Sequence, residues 1–245
     1  MTETPPENRH DAAARLARNL ASVTLTRTAL MRTAATREAS LALRHWQSQR
    51  LERTYPDLVA APRYHDAARF FLDDLYGPKD FSQRDADLAR ILPKLKSLLP
   101  AAALSTIADA VELDLVSEEL DRSLGIALAA APLDEATYAA AYRACDNRAA
   151  RERQIVLVRH IGNALDTLTR VPLLAGTLKL MRTPARAANL EELQSFLERG
   201  FSAFKKMGGA RSFLDTLKTR ETLLMNRLFA GVEAPFAGLI QKTIS

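Results

Sequence analysis

The residues most able to do chemistry stand in one segment, Phe70 to Asp85, which reads FFLDDLYGPKDFSQRD. Asp73, Asp74, Asp80 and Asp85 supply carboxylates, Tyr76 a phenol and Arg84 a guanidinium, the groups from which proton transfer or anion binding is built. Their positions argue against an acid–base pair, because neighbours on a helix point about 100° apart and Asp73 and Asp74 cannot converge on one atom. An ion-pair network that locks a turn, with the Tyr76 hydroxyl joining it, accounts better for Asp74, Arg84 and Asp85. The candidate clasp, functional or structural, is therefore Asp73, Asp74, Tyr76, Gly77, Asp80, Arg84 and Asp85.

Outside this segment the reactive groups are scattered. The histidines are His10, His45, His65 and His160, and no two have metal-ligand spacing such as HExxH. The paired Glu-x-x-His motifs of a di-iron bundle are missing, as are GxGxxG, GxxxxGK[ST], GxSxG and CxxC. No catalytic residue, metal ligand or cofactor is assigned. His160 lies among Val156, Leu157, Ile161 and Leu165, where a haem ligand could stand, but one His on an apolar helix specifies little. A partly buried structural His is the simpler reading. Cys145, the sole cysteine, falls on the apolar side of Tyr138 and Tyr142; it reads as a small buried hydrophobe and excludes an internal disulfide.

The elements that must position these residues are helical. Ala and Leu dominate against 8 Val and 7 Ile, and 9 Gly leave little material for β-turns or phosphate loops. The expected fold is an all-α bundle of roughly eight helices, with residues 1–10 a disordered tail and 11–245 one domain carrying a candidate sub-boundary near 130–134. From Asp11 to about Arg53 runs a segment without Pro or Gly, read as a long amphipathic helix. Leu16, Leu20, Val23, Leu30, Ala34 and Leu41 form its seam, and Arg27 and Arg37 occupy two seam positions. That seam packs on later helices or pairs two copies of the chain.

A second helix, from about Pro62 to Tyr76, places Tyr64, Ala68, Phe71, Leu72 and Leu75 on one apolar face. Gly77 is expected to close it with a left-handed backbone, and Pro78 to prevent its continuation. Asp80 then caps the next helix, with Gln83 reaching back in a capping box. That next helix runs towards Leu99, with Pro93 kinking or splitting it. Helices are also expected at about Ala101–Ala129, from Asp134, from Arg148, at Asn189–Met207 and to about Ala230, with Gly208 and Gly231 as stops.

The net charge of +5 invites a nucleic-acid reading, so its distribution matters. Arg9 to Arg53 holds nine Arg against Asp11, Glu38 and Glu52. Asp109, Glu112, Asp114, Glu118, Glu119 and Asp121 then follow with no intervening base. Complementary blocks within one chain explain both more simply, and the Arg are not interleaved with stacking aromatics, so nucleic acid is disfavoured. No apolar run reaches the roughly 18 residues of a spanning helix, and the polar start carries no signal peptide, so membrane insertion is not expected and a cytoplasmic location is.

At the DLYGP turn a resemblance enters. FFLDDLYGPKDFSQRD resembles the FFLxDLYGPxDFxxRD signature of an uncharacterised family of bacterial helical proteins, a domain of unknown function. ELQSFLERGFSAFKKMGGARSFLDTL, from Glu192 to Leu217, is similar to a second recurring segment of that family. The resemblance extends from about Pro62 to Gly231 and implies a helical, cytosolic domain with no catalytic residues to carry over. The leading reading is a non-enzymatic protein that acts through a protein partner or its own dimer. One alternative is a small-molecule-binding or enzymatic domain with a pocket near the turn, lined by Phe70, Tyr76, Arg84, Tyr138 and Tyr142. Another is weak nucleic-acid binding by the Arg-rich first helix.

Overall fold

The structure, a computed structural model, describes residues 7–30, 32–75, 77, 81–129 and 131–239, apart from the side chain of Leu98. Among them every regular element is helical. The chain builds α1 (Arg9–Leu30), α2 (Ala34–Thr54), α3 (Pro56–Ala60) and α4 (His65–Arg69), which runs into a π-helical turn at Phe70–Leu75. It continues through α5 (Ser82–Leu98), α6 (Ala101–Leu128), α7 (Glu135–Ala144) and α8 (Arg148–Leu168). The short α9 (Leu174–Leu180) and α10 (Arg182–Ala187) precede the long α11 (Glu191–Met207) and α12 (Arg211–Ala230). The number of elements exceeds the expected eight because short helices such as α3, α9 and α10 fill what read as connections.

The long first helix is in fact two. Thr33 adopts an extended backbone, and its hydroxyl accepts from the Thr36 amide while the Thr36 side chain satisfies Thr33 in return. A Thr that can cap locally competes with helix continuation, which is why a segment free of Pro and Gly still breaks here. The seam breaks with it. Leu16, Leu20, Val23 and Arg27 are buried against α5 and α6, whereas Ala34, Arg37 and Leu41 are exposed on α2. Residues 9 and 10, expected in a tail, form the start of α1, and the Arg15 guanidinium holds the Glu7 carboxyl below its ordinary pKa.

Helix α6 is the hub: α1, α2, α7 and α8 all pack on it, while α12 lies against α7 and α8. Three apolar clusters result. One joins α1, α5 and α6 through Leu20, Leu88 and Ala108; one joins α7 and α12 through Tyr138, Tyr142 and Leu228; one joins α4, the π turn, α11 and α12 through Phe71, Phe204 and Phe213. Pro93 sits inside α5 without splitting it. The IVLV run lies in α8 as a helix, with Leu157 buried and Val156 exposed, so only one of its faces is core. Gly208 ends α11 at φ 66°, the left-handed conformation that glycine adopts without a Cβ clash.

Candidate functional site

Among the described residues, the segment singled out by its chemistry contributes to two sets of ion pairs. Asp74 is buried, and Arg199 of α11 grips it side-on, Nε donating to Oδ2 at 3.1 Å and Nη2 to Oδ1 at 2.9 Å. Arg84 and Asp85 belong to a different set: Arg84 Nη2 donates to Asp85 Oδ1 at 3.1 Å and to Asp114 Oδ2 at 2.8 Å. Asp73 is exposed, and Tyr76 and Asp80 lie outside the described residues, so the proposed cap at Asp80 does too. The Gln83 amide donates to Asp87 at 2.8 Å. Gly77 is not left-handed, contrary to the expectation from sequence. Glycine is needed there because a Cβ would collide with the backbone carbonyl of Asp73, carried inward by the wide π-helical turn.

The acidic block on α6 is neutralised from within the chain. Arg15 donates to Asp109 at 2.8 Å and to Glu112 at 2.9 Å. Arg27, only 5% exposed, donates to Asp85, to Glu118 at 2.9 Å and to Asp114 at 3.0 and 3.1 Å. Arg44 completes Glu118 from α2. Burying one guanidinium among three carboxylates is tolerable only because Arg84 and Arg44 share the same acids. Even so, burial dominates at Asp85 and raises its pKa. His160 is 68% exposed, with Nδ1 2.8 Å from Asp109 Oδ2, so it is a surface partner of this block and not the partly buried histidine expected from its apolar neighbours.

Behind this network lies a cavity of about 130 Å³. Its apolar wall is the face already legible in the sequence, Ala68, Phe71, Leu72 and Leu75 of α4 and the π turn, joined by Leu58, Gly77 and Phe81. The other walls repeat one spacing. Helix α6 presents Asp114, Ser117, Glu118 and Asp121, α8 presents Arg151, Gln154, Ile155 and Val158, and α12 presents Leu214, Leu217, Lys218 and Glu221. These four on each helix are i, i+3, i+4, i+7, the core-facing stripe, joined by Arg159 on α8 and Phe213 on α12, with polar residues at several positions where apolar ones are usual. Helix α2 adds Arg44, Gln47, Arg50 and Leu51. Of the residues expected to line a pocket near the turn, none of the described ones, Phe70, Arg84, Tyr138 and Tyr142, lines this cavity. Phe70 packs on Phe71 and Phe196, and Arg84 belongs to the ion pairs. Tyr138 and Tyr142 line a smaller space of about 30 Å³ that shares Arg50, Arg151, Gln154, Ile155 and Glu221 with the larger one.

The polar end is well ordered. Glu221 accepts from Arg50 Nη1 at 2.8 and 3.1 Å and from the Tyr55 hydroxyl at 2.7 Å. Burial first, then the Glu221 charge, pushes the Tyr55 phenol well above its ordinary pKa and keeps it a donor. Asp121 accepts from Gln47 at 3.0 Å, and its own pKa is raised by burial despite Arg44. Arg151, 7% exposed, lies with its guanidinium 4.4 Å from the Tyr142 ring centroid. Its Nε and Nη2 find no hydrogen-bond partner, and neither does Arg50 Nε. Among the described residues no cluster of His, Cys, Asp and Glu could hold a metal ion, and no helix is long and apolar enough to cross a membrane.

Fold and site together define an all-helical protein with an amphipathic cavity beneath the π turn. The family model of the domain of unknown function DUF8198 matches residues 27–235, and the chain belongs to that family. The matched span begins at Arg27 and takes in both the 70–85 and the 192–217 segments. No curated protein and no solved structure matches the chain significantly.

Proposed function

We propose that this protein binds a small molecule in the cavity beneath the π turn. The observation that carries the reading is a void of about 130 Å³ with one wall apolar and the other set with buried charges. Cavities of about 150 Å³ take up benzene, so the space suits a ligand of benzene size with a polar substituent. Small-molecule sites are commonly of this kind, apolar with a few placed polar groups. The test is a thermal shift with benzene and phenol. Occupancy at ten times Kd adds about 1.4 kcal/mol, or roughly 3–6 °C for a chain of this size. Leu217→Trp, which fills the void, should abolish the shift, and an equal shift in that variant would defeat the reading.

A second reading keeps action through a protein partner or a dimer, and a different surface supports it. Leu173 and Leu180 are 86% and 79% exposed on the α9 excursion. Light scattering at high concentration tests self-association, and a clean monomer would end it. The first helices give either interaction reading less support. Arg15, Arg27, Arg44 and Arg50 are paired inside the chain, which also withdraws them from phosphate contacts.

A further inference from the structure

From the hydrogen-bonding left over in the cavity wall we infer that the ligand is a small apolar carboxylate, its carboxylate held side-on by Arg151; this rests on the cavity being a binding site. The acids facing the space are already engaged. Glu221 is taken by Arg50 and Tyr55, Glu118 by Arg27 and Arg44, Asp114 by Arg27 and Arg84, and Asp121 accepts from Gln47. Among the buried polar atoms of the wall, those left unpaired are cationic: Nε and Nη2 of Arg151 and Nε of Arg50.

The two free nitrogens of Arg151 are one edge of the guanidinium, whose N–H bonds run parallel and match the two oxygens of a carboxylate. This chain shows what that edge does elsewhere. Through Nε and Nη2, Arg199 holds Asp74 and Arg182 holds Glu198. No side chain accepts from that edge at Arg151, although buried N–H groups without a hydrogen-bond acceptor are costly. The edge is closed to solvent and Arg151 lines both spaces, so the proposed binding includes a turn of the guanidinium that brings its edge into the larger one. From there an apolar body reaches Ile155, Leu217, Phe71 and Leu72. Inorganic phosphate satisfies the fork but leaves that wall empty, so the carboxylate is favoured.

The experiment is calorimetric titration of the full chain with benzoate and hexanoate, against benzamide, hexanamide and inorganic phosphate. A charge-assisted bidentate contact predicts at least about tenfold tighter binding of the acids than of their amides. Arg151→Met should remove that preference, and Arg151→Lys, which keeps the charge and loses the fork, should reduce it. The comparison of acid with amide in the unaltered protein needs no variant to fold. If amides bind as well as acids and Arg151→Met changes nothing, the carboxylate inference falls while the cavity reading stands. If neither acids nor amides bind, the cavity reading itself falls.

Discussion

Arg151→Met is predicted to make this protein more stable. Met keeps an apolar stem of similar length and deletes a buried charge whose Nε and Nη2 have no partner. Each unsatisfied buried donor costs about 1–3 kcal/mol, so the relief is about 2–6 kcal/mol. Against this stands the guanidinium over the Tyr142 ring at 4.4 Å, worth about 1–2 kcal/mol when desolvated. The attraction between Arg151 and Asp121, which opposes the rise that burial gives the Asp121 pKa, is also lost. At mid-range, about 4 kcal/mol of relief less about 1.5 for the ring contact and a smaller loss at Asp121 leaves a gain of about 2 kcal/mol, or a rise in Tm of roughly 4–8 °C. Urea and thermal unfolding followed by circular dichroism measure it directly. A variant destabilised by more than about 1 kcal/mol would mean that Arg151 is a structural support, and the reasoning from its free edge would be refuted.

Three further outcomes follow from the same geometry. Arg27→Met leaves Asp85, Asp114 and Glu118 short of a buried cation and should cost about 3–5 kcal/mol, whereas Arg37→Ala on exposed α2 should change the urea midpoint by no more than about 0.5 kcal/mol. Burial raises the Asp121 pKa above 3.8, so its contribution to stability is fully present below that value and is lost as pH rises through the raised folded value. Asp121→Asn should flatten stability measured from pH 3 upward, and an unchanged profile would contradict the assignment. Gly77→Ala should cost about 1–3 kcal/mol because its Cβ meets the Asp73 carbonyl, and an unshifted melting curve would show that the turn yields freely.

The helical class and most helix bounds were legible because Ala, Leu and periodic apolar faces dominate their local stretches. Asp134 with Thr137, and Gly208 and Gly231, stop and start helices where their types imply. The division of the first helix was not read because Thr33 and Thr36 look like ordinary helix residues until their mutual cap is seen. The π turn was hidden for a similar reason: FFLDDL satisfies an α-helical face, and only the close approach of Gly77 to Asp73 shows the widened turn. The DLYGP segment drew attention by its density of charge, yet among its described residues Asp74 pairs with Arg199 and Arg84 with Asp85 and Asp114. Its apolar residues, Phe71, Leu72 and Leu75, are the part that reaches the cavity. The polar wall carried a signal that went unread. Arg151, Asp121 and Glu221 occupy core-facing register positions on α8, α6 and α12, where a charge without an apolar alternative marks a helix stripe built for something other than packing.

The central claim is that the cavity beneath the π turn takes a small ligand, and methyl-resolved NMR with benzene as probe tests it most directly. Occupancy should give shifts that saturate at Leu72, Ile155, Val158 and Leu217, which line the cavity, and none at Leu16, Leu20 and Val23 in the α1–α6 cluster. No shift at saturating benzene, or equal shifts in both groups, would contradict it.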